Sequence, residues 1–115
     1  MATNLYLVFS KRPETIPADE YDRWYEEHAQ ENIESPGFVN ARRFSLNQVN
    51  GPAQPFEHLA VYEFAGEMER WRSDLTRRIE TRDVVLPAWF PQIQFGSWEC
   101  SPVSPLLQPK THPGG

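Results

Sequence analysis

The chain has 115 residues, a formal net charge of -5 and a sequence pI near 5.1. Domains cluster at about 100 to 150 residues, so we expect one domain with one small core. The acidic balance argues against nucleic acid and against an anionic membrane as partners, because both attract clustered Lys and Arg. Cys100 is the single cysteine, which excludes an intrachain disulfide and a cysteine metal cluster.

The first residues lead directly into an apolar run, with no basic segment before it and no small-residue cleavage site after it. This arrangement is unlike a secretory signal. No apolar stretch approaches the ~20 residues that a helix needs to cross a bilayer. We therefore expect a soluble cytoplasmic protein.

The first part of the chain predicts a strand and then a helix. Residues 5–9 form a compact run of β-favouring side chains, which indicates a buried strand. Pro17, with two acidic residues shortly after it, is typical of a helix start, and the helix should run to about Ile33 or Glu34. Its inward-facing stripe, flanked by Trp24, consists of Tyr21, Tyr25, His28 and Asn32.

The middle of the chain predicts two strands and a second helix. A Ser-Pro-Gly turn at 35–37 ends the first helix. Strands follow at 38–46 and 57–64, and they are close enough in sequence to pair antiparallel across a Gly-Pro loop. The second helix begins after Gly66, and its apolar stripe consists of Met68, Trp71, Leu75 and Ile79.

The last part of the chain predicts one more strand and a tail. Residues 83–91 mix apolar and aromatic side chains with two prolines, which favours an irregular connection. Residues 93–100 alternate well enough to form a fourth strand. Residues 101–115 carry four prolines and end in Pro-Gly-Gly. We therefore predict one domain at 1–100 and an extended Pro-rich tail at 101–115.

The order of these elements predicts a ferredoxin-like βαββαβ fold of the α+β class, with both helices on one face of an antiparallel sheet. The other sheet face would stay bare in a monomer and would expose more apolar area than a soluble protein normally tolerates. A second copy would cover it. We therefore expect a homodimer that forms through the sheet face.

The helix-to-strand segment resembles a known superfamily. Trp24-x-x-x-His28-Ala29, followed by Ser-Pro-Gly-Phe at 35–38 and Ala-Arg-Arg-Phe at 41–44, is similar to the dimeric α+β barrel proteins, most closely the EthD-like members. The resemblance covers about residues 4–100 in element order. It implies a homodimer with a small cavity in each subunit between the helices and the sheet. The superfamily includes cofactor-independent monooxygenases, isomerases, polyketide cyclases and haem-binding enzymes, so the chemistry must be argued from the site.

His28 is the main candidate for chemistry, because an imidazole with a pKa near ~6.5 can take and return a proton at neutral pH. Its position on an aromatic helix face favours the neutral, basic form. The alternative is a helix histidine that only hydrogen-bonds a backbone carbonyl. Tyr62 on the third strand is predicted as a second catalytic residue, provided that its side of the strand faces the helices.

Seven further residues are predicted to contact a substrate, with strand phase left open. His58 shares its side of the strand with Tyr62. Arg42 and Arg43 point to opposite faces, so only one of them can bind a carboxylate or enolate oxygen in the cavity, and an ion pair is the alternative. Asn40 would be an oxyanion donor if its side faces the pocket. The predicted substrate-binding set is Trp24, Tyr25, Asn40, Arg43, His58, Trp71 and Trp89, with core packing as the alternative for the aromatic members.

The sequence contains no Gly-rich phosphate loop, no dinucleotide fingerprint and no closely spaced metal-ligand motif. We therefore predict no cofactor and no protein-built metal site. The leading hypothesis is a cofactor-independent enzyme that uses His28 for proton transfer, of the isomerase, dehydratase, cyclase or lyase type, on a small oxygenated aromatic or polyketide-like substrate. The alternatives are a cofactor-free monooxygenase acting on a phenol and a non-catalytic ligand-binding or stress-related dimer.

Overall fold

The computed structural model describes residues 3–81 and 85–110. Its elements are β1 (Asn4–Lys11), α1 (Ala18–Ile33), β2 (Phe38–Ser45), β3 (His58–Phe64), α2 (Met68–Glu80), a 3-10 turn (Phe90–Gln92) and β4 (Gln94–Cys100). The described helices are too short and too polar to cross a bilayer. Residues 101–110 contain no helix or strand. The end of the predicted tail, residues 111–115, and part of the predicted connection at 83–91 lie outside the described residues. The division into domain and tail stays a prediction.

The sheet has the strand order β2-β3-β1-β4, and each neighbouring pair is antiparallel. Alternate β3 side chains turn toward the helices, where Tyr62 packs with Tyr25 of α1 and Phe64 packs with Trp71 of α2. Both helices therefore cover one face. The predicted α+β, ferredoxin-like fold is confirmed.

The turn between α1 and β2 fixes how the first helix meets the sheet. Gly37 has a φ of +99°, a conformation that side-chain-bearing residues rarely adopt, and a Cβ there would lie 2.7 Å from the carbonyl oxygen of Ala65. The amide of Ala65 donates to the carbonyl of Gly37 at 2.7 Å. The glycine predicted to end the helix is thus needed for close contact with the end of β3.

A bulge in β2 sets which of its side chains face the helices. Phe38 pairs with Phe64, but Asn40 pairs with Glu63, so one extra residue is inserted between the two pairs. Phe38 therefore lies on the helix side. After the extra residue, the alternation of side chains between the two sheet faces continues with a shift of one position. As a result, Arg43 faces the helices, whereas Asn40 faces the opposite side.

The two helices are held together through the end of α1. The hydroxyl of buried Ser35 donates to Asp74 of α2 at 2.6 Å and accepts from Arg78 at 3.1 Å. Arg78 also donates to the carbonyl of Glu31 at 2.7 Å. These bonds satisfy polar groups at the helix end and fix the spacing of the helices above the sheet.

Candidate active site

A cavity of about 380 Å³ lies between the two helices and the sheet. Its volume suits a small molecule of the size of a substituted aromatic ring. The lining side chains are contributed by β1, α1, β3, α2, β4 and the connection before β4. They are Tyr6, Val8, Tyr25, His28, Asn32, Tyr62, Trp71, Leu75, Ile79, Leu86, Phe90, Phe95 and Ser97.

Three polar side chains meet at one end of this apolar cavity. The Nδ2 atom of Asn32 lies 3.4 Å from Nε2 of His28 and donates to the hydroxyl of Tyr62 at 3.2 Å. His28 and Asn32 are four residues apart on α1, so they share a helix face. Tyr62 reaches the same point from the middle of β3. The amide therefore joins the two side chains that the sequence predicts as catalytic.

The imidazole of His28 is held in an aromatic setting. It stacks on the indole of Trp24 with a centroid distance of 4.8 Å and an angle of 15° between the rings, and Tyr25 meets it edge-on at 5.9 Å. Burial lowers the pKa of His28 from 6.5 to about 4, because the surrounding rings disfavour the charged form. His28 is consequently neutral at pH 7 and has a lone pair to offer.

Asn32 orients both of its partners. Its side chain is almost fully buried. Nδ2 can only donate, so its contact with Nε2 of His28 is a hydrogen bond in the tautomer that carries the imidazole proton on Nδ1. Oδ1 of Asn32 has no hydrogen-bond partner among the described residues. A buried acceptor without a partner is costly, so a ligand that supplies a donor there would gain free energy.

Tyr62 remains a neutral hydrogen-bond donor. Burial raises its pKa to about 12, an effect that the hydrogen bond from Asn32 partly offsets. The phenol therefore keeps its proton at physiological pH and can donate it to a ligand oxygen. A second buried donor, Nε1 of Trp71, also has no hydrogen-bond partner within the described part of the chain. Both residues line the cavity.

The cavity carries no formal charge. Among the described residues that line it, none is Lys, Arg, Asp or Glu. A charged ligand would have to leave water for these surroundings without a counter-ion, which is expensive. The site therefore favours an uncharged ligand with one oxygenated edge at the His28 end.

Trp24 and Trp89 do not line the cavity but stand behind it. The two indoles meet edge-on, with centroids 4.9 Å apart, and Trp24 separates Trp89 from the imidazole of His28. Trp89 also packs on Tyr21 at 6.0 Å. Trp24 thus contacts the site through His28 and two other lining rings, and Trp89 packs behind Trp24.

Arg43 and His58 face the helices but belong to a separate cluster. Arg43 lies over the ring of Tyr25 at 4.5 Å and forms an ion pair with Asp22 at 3.1 Å. Nε2 of His58 lies 3.9 Å from the same carboxylate. Burial, and after it the Arg43 charge, lowers the pKa of His58. Neither side chain lines the cavity, so an ion pair with a helix acid is what the structure shows for Arg43.

Asn40 lies on the far side of the sheet from His28. It is exposed and donates to Glu63 at 3.1 Å. The β2 bulge is the physical reason, because it turns Asn40 to the face that the helices do not cover. The structure therefore does not bring Asn40 to the cavity, and an oxyanion role for it there is not supported by its position.

Several lining residues have no assigned role in the sequence analysis. The main one is Asn32, whose spacing of four from His28 on the inward stripe is the signal that would have singled it out. Tyr6 and Ser97 come from β1 and β4, whose order in the sheet decides that they border the site. Sequence spacing alone does not supply that order.

Metal ligation by the described part of the chain has no geometric support. No three His, Cys, Asp or Glu side chains among these residues are close enough together to share an ion. The polar end of the cavity offers one imidazole, one amide and one phenol, a set typical of proton transfer and hydrogen bonding rather than of a closed metal site.

The fold and the cavity define a ferredoxin-like α+β protein, and comparison with solved structures agrees. A protein of Shewanella loihica PV-4 that carries a provisional monooxygenase assignment is 11% identical, with a TM-score of 0.57 over 90% of this chain and 97% of its own. A dimeric ferredoxin-like protein from an uncultured marine organism is 10% identical, with a TM-score of 0.57 over 92% of this chain and 100% of its own.

A third solved structure with this fold is the hydroxynitrile lyase of Passiflora edulis, which is 14% identical, with a TM-score of 0.51 over 90% of this chain and 98% of its own. No family model and no curated protein matches the sequence. At these identities the likeness concerns the fold alone. The chemistry of this chain therefore has to be argued from its own cavity.

Proposed function

We propose that the protein is a small cofactor-independent enzyme in which His28 transfers a proton on a small, uncharged, oxygenated aromatic or polyketide-like substrate. The reaction types that fit are isomerisation, dehydration or cyclisation, and lyase cleavage that begin with loss of a substrate proton and leave negative charge on a substrate oxygen, as in an enolate, a phenolate or the alkoxide of an α-hydroxynitrile. One observation carries the proposal. The amide of Asn32 bridges Nε2 of His28 and the hydroxyl of Tyr62 at the polar end of an otherwise apolar cavity.

His28 serves as the base. Its Nε2 contact with Asn32 is 3.4 Å, which is long for a hydrogen bond, so a substrate O–H or acidic C–H can compete for the same lone pair. The proton that leaves the substrate moves to Nε2 and forms an imidazolium. The electron pair stays on the substrate and is delocalised onto its oxygen.

Tyr62 and Asn32 stabilise that oxygen. The Tyr62 phenol donates a hydrogen bond to it, and the hydrogen bond that Tyr62 accepts from Asn32 makes the phenol a stronger donor. Donors of this type act strongly in a site that excludes water. Tyr62 thus stabilises the developing anion, and Asn32 positions both Tyr62 and His28.

The low basicity of His28 is compatible with this role. Its pKa of about 4 reflects roughly 3 kcal/mol by which burial disfavours the imidazolium. A negative charge that develops about 4 Å away recovers about 4 kcal/mol at the effective dielectric constant of a protein site. The two effects nearly cancel, so His28 becomes an effective base only when the substrate loses its proton.

We also propose that the chain forms a homodimer through the bare sheet face and that it is an EthD-like member of the dimeric α+β barrel superfamily. Large apolar side chains on that face support the first part, since Trp98 is 56% exposed and Phe44 44% exposed. The dimeric ferredoxin-like protein from a marine organism, which shares the fold, supports it further.

A second candidate function is oxygenation of an electron-rich phenol without metal or flavin. The aromatic lining of the cavity favours it, because Tyr6 and Trp71, with centroids 5.1 Å apart, offer a surface for a flat ring. The Shewanella loihica protein with a monooxygenase assignment shares the fold. Loss of a proton to His28 would also begin this reaction, and oxygen uptake during turnover distinguishes the two.

The test first measures which small molecules bind to the protein and then measures their turnover. Neutral phenols, aryl ketones and an α-hydroxynitrile form the panel, the last because the Passiflora edulis protein with this fold is a hydroxynitrile lyase. Binding is read from the imidazole resonances of His28, and turnover is then compared with that of His28→Gln and Tyr62→Phe. A single general base contributes about 10² to 10⁴ in rate, so a loss of that size in His28→Gln is expected. Full turnover in His28→Gln would refute the assignment.

A further inference from the structure

A second concave surface lies on the sheet face that the helices leave uncovered, and we call it the aromatic groove. Its floor consists of Phe9, Phe56 and Trp98. The Phe9 ring lies 5.8 Å from Phe56 and meets Trp98 edge-on at 5.4 Å. The groove holds about 500 Å³, which is larger than the cavity under the helices.

The aromatic groove is an ordered feature of the fold. Gly96 leaves room for its floor, because a Cβ at this position would lie 3.0 Å from the ring of Phe56. The loop that forms its wall is tied by the amide of Gln48, which accepts from the backbone of Gln54 at 3.2 Å. The same amide donates to the carbonyls of Asn50, Gly51 and Pro52.

The segment that follows β4 has unpartnered apolar side chains of its own. Residues 101–110 run without helix or strand and contain three prolines. Val103 is 100% exposed, Leu106 86% and Leu107 77%. Three large apolar side chains so close together in water are unfavourable, and a Pro-rich extended segment has little freedom left to lose when it docks.

We propose that residues 101–109 of one copy dock in the aromatic groove of a second copy. The chemistry of the two surfaces matches. No charged side chain is among the described residues that line the groove, and residues 101–109 carry none either, although 23% of the whole chain is charged. Pro-rich segments bind aromatic-lined grooves in this way, since prolines bring no unpaired N–H.

The register of the sheet favours a second copy over the same chain. Cys100 pairs with Leu5, whereas Gly96 pairs with Phe9 on the groove floor, so the segment leaves β4 at the end away from the floor. To reach its own groove it would have to reverse at once and run back along the sheet. Instead Leu106 and Leu107 remain exposed. Packing of two bare faces would bring each segment close to the other copy.

Disulfide trapping between two separately made proteins tests the proposal. In a Cys100→Ser background, one protein carries Gln54→Cys on the groove wall and the other carries Leu107→Cys. After mixing, subunit exchange and oxidation, we expect a covalent dimer. Gln30→Cys on the outer side of α1 is the matched control, and it should form none with Leu107→Cys.

Three outcomes would overturn the docking. They are the absence of a covalent dimer, equal trapping with Gln30→Cys, and an internal cross-link in a monomer that carries both Gln54→Cys and Leu107→Cys. Sedimentation of the same samples separates this proposal from the homodimer. A dimer without trapping leaves the homodimer standing and rejects the docking, whereas a monomer at all concentrations rejects both.

Removal of the leucines gives an independent measurement. We expect Leu106→Ser combined with Leu107→Ser to raise the dimer dissociation constant by about 100-fold, from the apolar area of two leucines. Val49→Ser removes a side chain that is 88% exposed and does not line the groove, so it should leave the constant unchanged. A double variant that associates within about twofold of the parent would contradict the proposal.

Discussion

The indole of Trp24 stacks on the imidazole of His28, with centroids 4.8 Å apart and ring planes 15° apart. The two residues are separated by one turn of α1, so the helix itself sets this contact. The indole covers one face of the imidazole and keeps water from it. This contact links the aromatic helix stripe to the lowered pKa of the proposed base.

Removal of the stacked indole should make His28 more basic. In Trp24→Leu, water gains access to the imidazole, so the pKa of His28 should rise from about 4 toward its ordinary value of 6.5. The measurement is an NMR titration of the imidazole C–H resonances. Trp98→Leu is the matched control, because this indole lies on the other sheet face. An unchanged pKa of His28 in Trp24→Leu would contradict this prediction. It would show that the residues lining the cavity, rather than Trp24, desolvate the imidazole.

The buried neutral imidazole should make the fold sensitive to mild acid. The pKa of His28 is about 4 in the folded chain and 6.5 in the unfolded chain, so the unfolded state binds the proton first. Stability should therefore fall as the pH drops from 6.5 toward 4, by up to roughly 3 kcal/mol. Urea unfolding at both pH values should show this loss for the parent protein. His28→Gln should lack the part of this stability loss that comes from protonation of His28. Identical pH dependence of the unfolding free energy in the two proteins would contradict the prediction.

Asn32 lies on the helix side of the sheet and Asn40 on the uncovered side, so the two asparagines provide a matched pair of variants. Asn32→Ala removes a buried donor that contacts His28 and Tyr62, so we expect a loss of about 1 to 3 kcal/mol in unfolding free energy. Asn40→Ala removes an exposed contact with Glu63 and should change it by less than about 0.5 kcal/mol. Thermal or urea unfolding measures both. Equal effects would argue against a buried amide bridge.

The uncharged cavity should discriminate against ionised ligands. A neutral phenol should bind at least about tenfold more tightly than benzoate at pH 7, because the described lining offers no counter-ion for a carboxylate. Calorimetric titration of both ligands measures the difference. Leu75→Arg places a cation on the lining and should improve benzoate binding. Stronger binding of benzoate by the parent protein would contradict the proposed substrate class.

The helix stripe of α1 was predictable from sequence because helical spacing alone determines which side chains share a face. The predicted stripe of Tyr21, Tyr25, His28 and Asn32 does face the sheet, and the ferredoxin-like order follows from the sequence of strands and helices. The role of Asn32 needs a further fact, namely that Tyr62 on β3 lies across from it. The proximity of these two side chains depends on how α1 packs on the sheet, which no local sequence pattern encodes.

The strand residues show where sequence reasoning ends. Simple alternation from Phe38 would put Asn40 on the helix side, and the bulge reverses this without a clear local signature. The sequence allows two predictions for Arg43, a residue that lines the cavity or a partner in an ion pair. Only the position of Asp22 on α1 decides between these two roles. Register and strand order thus carry the information that composition and periodicity lack.

The most direct test of proton transfer by His28 is deuterium exchange at carbon. A neutral aryl ketone that binds in the cavity is incubated in D₂O with the parent protein and with His28→Gln, and loss of its α-proton signal is followed by NMR. We predict exchange that depends on the protein and falls by about 10² to 10⁴ in His28→Gln. Equal exchange with both proteins, or tight binding of the ketone with no exchange by the parent, would contradict the account and would favour a ligand-binding protein.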